Sequence, residues 1–289
     1  MLCHVTGSNG VVGQQVTRAL EKLGDVDATD VQELDVTDAK ATLAKLSANP
    51  PDVMVHLAGL KGNLPSVENP LLFFNVNTSG TLNLLEACRE LGVKRFIFFS
   101  SLTVHGPTTE EVNERDPLFP LHPYSGSKGA SEFIVHAYSN AYGIPSTIFR
   151  PNFIVAPIVA PLPYVDNLIY DFIGLAKDPG TIELAGNGQF EREWMHPSDV
   201  ASAVSAAVTS DRPGCETYII RGERVTMHEL ASRIVAQVGE GKITTNPERG
   251  GFSIISSSAS AEKNLGWKPT VSLDSLIREI WAEYESRHA

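Results

Sequence analysis

The chain has 289 residues, enough for one large or two modest domains with a substantial core. Hydrophobic residues make up 42% and charged residues 20%, the balance of an ordinary globular protein. Lys and Arg total 23 against 34 Asp and Glu, for a net charge of −11. With no basic run, this argues against a broad nucleic-acid surface, so any phosphate site must be local.

Leu2–Val5 reads as a short strand running into Thr6-Gly7-Ser8-Asn9-Gly10-Val11-Val12-Gly13. Val12, Val16, Ala19, Leu20 and Leu23 then recur at helical spacing, and Gly24 is the expected stop. Strand, glycine turn and helix are the context a phosphate-binding loop needs. Gly7 can adopt a positive φ, Gly10 admits a pyrophosphate and Gly13 lets the helix pack on the strand. The plainer reading is a tight strand–helix turn. His4 is unexpected in a buried strand.

Asp30 ends a second strand, Val26–Asp30. A carboxylate there accepts from both ribose hydroxyls and repels a 2′-phosphate, and no arginine follows, so NAD is expected over NADP. Asp38 leads into a helix at Ala39–Leu46, and Asp52–Gly59 is apolar enough for a third, buried strand. A long helix is predicted over Pro70–Leu91 and a fourth strand over Arg95–Ser101. The following loop carries Glu110, Glu111, Glu114 and Asp116, expected to form a solvated rim. Tyr124–Tyr142 is helical, with Phe133, Ile134, Ala137 and Ala141 as its apolar face and Gly143 as its stop. Ser146–Arg150 is the fifth strand. Five strand–helix alternations predict an α/β fold, a doubly wound parallel sheet.

Beyond Asn152 the pattern loosens. Helices are predicted at Val200–Val208, Met227–Val238 and Leu273–Tyr284, with a strand at Thr217–Ile220. The expected division is a dinucleotide-binding domain over 1–155 and a small C-terminal substrate-binding lobe over 156–289, interleaved with the sheet. Phe153–Val165 is too short to span a membrane and holds Pro157, Pro161 and Pro163, so an extended loop is expected there. Cys3, Cys88 and Cys215 form no disulfide framework, and neither they nor the eight histidines show metal-ligand spacing. No metal and no signal peptide are expected, and the compartment is reducing, hence cytoplasmic.

Tyr124-Ser-Gly-Ser-Lys128 carries the chemistry. Tyrosine and lysine four apart share one helix face, so an ammonium can lie near a phenolic oxygen and favour the phenolate. Such a pair can take a proton from a sugar or alcohol hydroxyl. Taken alone, the spacing also arises by chance on helix surfaces.

Several further motifs stand in order: Asp35-Val36, His56-Leu57-Ala58-Gly59, Asn77-Thr-Ser-Gly-Thr81, Ser100-Ser101, Arg150-Pro-Asn152, Arg192 before Asp199-Val200, and Leu265-Gly-Trp-Lys-Pro269. With the glycine loop and the Tyr–Lys pair, this set resembles the extended short-chain dehydrogenase/reductases, in particular the NAD-dependent epimerase/dehydratase group acting on nucleotide sugars. The resemblance implies NAD held by Gly7, Asn9, Gly10, Val11, Asp30, Asp35, Val36, Leu57, Ala58, Gly59, Lys61, Asn77, Tyr124 and Lys128. It makes Tyr124 the base, Lys128 its partner and the ribose ligand, and Ser101 the residue that binds the reacting oxygen. Thr103, Asn152 and Arg192 would touch the substrate, although Arg192 stands between Glu191 and Glu193 and equally suits a surface ion pair. His105 replaces the family's usual tyrosine. Leu102 and Thr103 stand where dehydratases carry an Asp-Glu pair, which argues against loss of water. The implied activity is a nucleotide-sugar 4-epimerase, with a homodimer as assembly. A keto-sugar reductase and a non-catalytic dinucleotide sensor are the alternatives.

Overall fold

The computed structural model describes residues 1–107, 110–157 and 167–288. Its centre is a parallel sheet. β1 (Leu2–Thr6) enters the glycine turn, and α1 (Val11–Leu20) leaves it. α1 ends a turn before Gly24, which instead lies against the Met1 carbonyl. β2 (Asp25–Thr29), α2 (Ala39–Ala48) and β3 (Val53–His56) follow, with the Asp38 carboxylate capping α2 through the amides of Lys40 and Ala41. The predicted strand over Asp52–Gly59 stops at His56, where Leu57 and Ala58 turn over the glycine loop.

Two short helices, α3 (Asn63–Glu68) and α4 (Pro70–Phe74), precede a π-turn at Asn75–Ser79, and α5 (Gly80–Leu91) completes the segment. The expected long helix is therefore interrupted, and the interruption rotates Asn77 into the interior. β4 (Arg95–Phe99), a short 3₁₀ turn at Leu102–His105, α6 (Pro123–Tyr142) and β5 (Ser146–Pro151) finish the first half.

The second half supplies α7 (Leu168–Lys177), β6 (Thr181–Ala185), β7 (Glu191–Trp194), α8 (Pro197–Val208) and β8 (Cys215–Ile220). β9 (Glu223–Thr226), α9 (Met227–Val238), β10 (Lys242–Asn246), α10 (Ala259–Leu265) and α11 (Leu273–His288) end the described chain. The main sheet has the order β2-β1-β3-β4-β5-β8 and is parallel throughout. Two small two-stranded sheets, β10-β6 and β7-β9, lie outside it. Of the predicted extended loop at Phe153–Val165, the positions from 158 onward lie outside the described residues.

One face of the sheet packs Val5, Leu20, Val55, Ile97, Phe149 and Val204, and the other packs Leu46, Met54, Leu84, Phe96, Phe98 and Ile148. Each such side chain contributes about 1.5–3 kcal/mol by leaving water. A third cluster, built on Ile169, Ile173, Trp194, Leu230, Ile234 and Ile277, belongs to the second half. His4 is completely buried and sits in register with Asp27 of β2. Its Nε2 lies 3.1 Å from Thr29 Oγ1 and its Nδ1 3.3 Å from Asp27 Oδ2, with Lys45 completing the row, so polar partners one strand away accommodate it.

Two expectations change. The face of α6 turned inward is mostly small and polar (Ser127, Ser131 and Ser139, with the core residue Val135), whereas Phe133, Ala137 and Ala141 are exposed. Glu114 is not part of a solvated rim. Its carboxylate accepts from the Ile219 amide and from Ser260 Oγ, pinning the loop to β8 and α10, and Glu111 pairs with Arg224. Among the described residues no helix is long and apolar enough to cross a membrane.

Candidate active site

The carboxyl ends of β1, β3, β4 and β5 open onto one cavity of about 370 Å³. Parallel order puts them together, because every strand delivers its following loop to the same edge. Asn9 and Val11 come from the glycine loop, Ser101 and Thr103 from the end of β4, Tyr124 from the first turn of α6, and Asn152 from the end of β5.

The glycine loop is shaped for a dinucleotide. Gly7 has φ +71°, and a Cβ there would stand 2.6 Å from the Ala58 nitrogen. Gly10 begins α1 with no side-chain cap, which leaves the first-turn amides directed at the cavity edge. Asp30 Oδ2 accepts the Asn9 amide at 2.9 Å, so the expected ribose carboxylate also braces the loop. Gly59 is required by close approach, since a Cβ there would stand 2.9 Å from Asn77 Oδ1 and 3.2 Å from Lys128 Nζ. Ser100 lines the cavity with a buried hydroxyl that has no hydrogen-bond partner among the described residues. An amide-ended helix, a carboxylate at the glycine loop and an unpartnered buried hydroxyl fit the donor and acceptor needs of a dinucleotide.

Tyr124 lines the cavity together with Ser101, and its ring meets Phe73 edge-on. Burial raises the phenol above its ordinary value of 10, and only Ser101 opposes this. The expected electrostatic help from Lys128 is absent here. The lysine is buried, and Nζ donates to Phe99 O at 2.8 Å and lies 5.1 Å from the Phe98 ring centre. Desolvation brings Lys128 down to about 8, with Glu132 acting against it. The same turn of α6 thus carries both groups, but the ammonium is directed at the Phe99 carbonyl and toward Gly59.

Other expected ligands are placed differently. Asn77 spends its amide on both backbone groups of Leu60, at 2.7 and 3.1 Å, and on Ser127 Oγ at 2.9 Å. It holds the Leu60 turn in place and presents no free polar atom. Asn152 lines the cavity, yet its Nδ2 donates to Glu193 and its Oδ1 accepts from Phe153 N. Arg192 is not among the cavity-lining residues and has no carboxylate partner among the described residues, because Glu193 is taken by Asn152, Ser256 and Arg224. Its guanidinium sits between Phe153, Phe190 and Phe252 at 5.0–5.6 Å and donates to the Phe252 and Glu191 carbonyls, with desolvation lowering it to about 10. Asp35 bonds Thr37, and Val36 packs on Gly80, both away from the cavity. Lys61 is exposed at the cavity edge.

His105 does not reach the cavity. Its Nε2 lies 3.0 Å from Arg150 Nη1 and its Nδ1 3.3 Å from Pro117 O, which fixes an Nδ1–H tautomer and ties the loop down. Arg150 also grips Glu132 at 2.6 Å, so the Arg150-Pro-Asn152 motif is a buried strut. The Asp199 carboxylate accepts from Thr270 and Val271, and Trp267 Nε1 donates to Asp199 O, so these two C-terminal motifs form one scaffold joint. Sequence reasoning missed Glu193, which entered only as the acid beside Arg192 in one of the two readings of that arginine. It also gave Ser100 no role, although its own motif contains it.

A doubly wound sheet with a glycine loop at β1 and a serine, tyrosine and lysine gathered at the carboxyl edge defines a dinucleotide-dependent enzyme of the short-chain dehydrogenase/reductase type. Residues 3–220 match the model of the NAD dependent epimerase/dehydratase family, and the chain belongs to that family, whose cofactor is NAD. Its relatives include dTDP-glucose 4,6-dehydratase 1 of Escherichia coli (strain K12), 29% identical over 338 residues, covering 98% of this chain and 92% of the relative. UDP-glucose 4-epimerase 2 of Oryza sativa subsp. japonica is 30% identical over 283 residues, covering 86% and 67%. Among solved structures, the Thermus thermophilus UDP-glucose 4-epimerase complex with NAD superposes with a TM-score of 0.84 over 99% of both chains at 24% identity, a likeness of fold.

Proposed function

We propose that the protein is an NAD-dependent nucleotide-sugar epimerase of the 4-epimerase type. Its relatives divide between dehydratases and epimerases, and one observation favours the second. No Asp or Glu is among the described residues that line the cavity, and Leu102 and Thr103 stand beside Ser101. Loss of water from a hexose needs a carboxyl group to carry a proton to the leaving hydroxyl. Reversible oxidation of one carbinol needs only a single base at its oxygen, and Tyr124 is the one titratable hydroxyl among the described cavity residues that suits it.

In this reading Ser101 Oγ and Tyr124 Oη bind the reacting sugar oxygen together, and Tyr124 Oη takes its proton. NAD, when bound, supplies the hydride acceptor and a positively charged ring. Gly7, Asn9, Gly10 and Val11 hold its phosphates, Asp30 a ribose, Asp35 and Val36 the adenine end, and Lys128 the other ribose near Gly59. Leu57, Ala58 and the Asn77-held Leu60 turn form the floor beneath it, with Lys61 at the phosphate edge. Phe153, Ile154 and Val155 make the opposite wall apolar, which keeps water from the exchanged proton. Arg192, stripped of acid partners and caged by aromatic rings, suits the anionic part of a nucleotide sugar, with Asn152 shaping the wall beside it.

The test is turnover of UDP-galactose and UDP-glucose with catalytic NAD and no added reductant, followed by NMR of the sugar. Interconversion of the two epimers supports the reading. A 4-keto-6-deoxy product would make the protein a dehydratase, and strict dependence on stoichiometric NADH or NADPH would make it a reductase.

A further inference from the structure

Ser101 occupies a constrained hydrogen-bond position. It is the N-cap of the 3₁₀ turn Leu102–His105, and its Oγ accepts the Thr103 amide at 3.3 Å. Thr103 Oγ1 also donates to it at 2.9 Å. A hydroxyl has two lone pairs and one hydrogen. Both lone pairs are thereby engaged by the same residue, and Ser101 retains only its hydrogen to offer. Tyr124 lines the same cavity, and its hydroxyl is the titratable group there that this hydrogen can serve.

We propose that Thr103 is a positioning residue that makes Ser101 a one-way hydrogen-bond donor toward Tyr124 Oη and the oxygen that reacts there. The proposal rests on Tyr124 acting as the base. Its physical content is directional. A donor aimed at Tyr124 Oη stabilises the phenolate, whereas a Ser101 free to accept would stabilise the phenol. Deleting the Thr103 hydroxyl releases one lone pair of Ser101, and Tyr124 can then donate into it and keep its proton. A Thr103 that served only to touch substrate would leave the tyrosine's titration unchanged.

The experiment is a pH titration of NAD-loaded protein carrying ¹³C at tyrosine Cζ, with the Tyr124 signal assigned by its loss in Tyr124→Phe. Thr103→Val should raise the midpoint by roughly one pH unit, the weight of one hydrogen bond to a charged group. Thr103→Ser, which restores the hydroxyl, should titrate like the wild type. If Thr103→Val fails to fold by its melting curve, Thr103→Ala deletes the same group and gives the same comparison. An unmoved midpoint in the hydroxyl-deleted variant overturns the inference while leaving Tyr124 as base. A wild-type Tyr124 that stays protonated above pH ~10 with NAD bound defeats the base assignment, and this inference with it.

Discussion

The Asn152 amide donates to Glu193 Oε2 across 2.6 Å, tying a wall of the cavity to a carboxylate with no exposed surface. The same carboxylate accepts from Ser256 N and Oγ and from the Arg224 guanidinium. Glu193→Ala would strand these donors in a buried site. Breaking a buried ion pair on one side costs about 3–5 kcal/mol, so the melting temperature should fall by several degrees or more. Glu193→Gln, which keeps shape and part of the hydrogen bonding, should cost less. Equal melting of Glu193→Ala and wild type would remove the carboxylate from the framework.

The proposed cofactor choice rests on Asp30, whose Oδ2 braces the Asn9 amide at the expected ribose position. Wild type should bind NAD at least about tenfold more tightly than NADP, a difference of ~1.4 kcal/mol. Asp30→Asn removes the charge yet keeps an acceptor for Asn9, so it should narrow the gap without loosening the loop. Calorimetric titration of both cofactors measures it, and equal wild-type affinities would end the argument.

Four histidines are held neutral by the fold. Burial lowers His4, His56, His105 and His136, and takes His56, wedged between Thr6 Oγ1 and Thr81 Oγ1, down to about 3. The unfolded chain takes up these protons near pH ~6.5, where the native state does not, so stability is full above that pH and falls below it. His56 alone accounts for on the order of 5 kcal/mol between ~6.5 and its folded value. Melting should drop steadily from about pH 7 to about pH 5, and His56→Gln should flatten the slope. A flat profile over that range would contradict the assignment.

Phe133 is 68% exposed and Tyr142 54% exposed on α6, and Leu82 is 39% exposed on α5. Phe133, Ala137 and Ala141 recur every fourth residue on α6 and are all exposed, and this apolar face suits a two-fold partner. We propose the homodimer on that basis. Light scattering should give twice the chain mass at micromolar concentration, and Phe133→Glu should return it to one. A wild-type monomer would refute the assembly.

Much of this was legible in the sequence where the signal is local. The glycine loop and the α6 pair each lie within one short window, and Ser101 and Tyr124 line one cavity. What could not be read depends on contacts distant in sequence. The outward turn of Phe133 needed the inward serines to be known as packing residues. The partners of Glu193 lie at 152, 224 and 256, and the direction of Lys128 is set by the Phe99 carbonyl, 29 residues away. The withdrawal of His105 from the cavity is likewise set at a distance, since Arg150 and Pro117 claim both ring nitrogens.

Tyr124 carries the mechanistic prediction. In the ligand-free protein its phenol is held above 10 by burial, and Lys128 does not lower it. Moving it to about 7 requires roughly three units, or ~4 kcal/mol, more than one hydrogen bond from Ser101 supplies. In the proposed mechanism the remainder comes from positive charge, from Lys128 and the cofactor expected beside Gly59. Tyr124→Phe should therefore lower turnover by a factor on the order of 10² or more while NAD still binds, as expected for loss of a general base. Lys128→Ala should weaken NAD and turnover together, because its Nζ sits beside Gly59 where the ribose is expected. Lys128→Met, similar in length but uncharged, should also fail in both. Steady-state rates alongside NAD titrations separate the two effects. Near-normal turnover in Tyr124→Phe would mean that the proton leaves by another group, and Lys128, already brought down to about 8 by burial, would be the next to test.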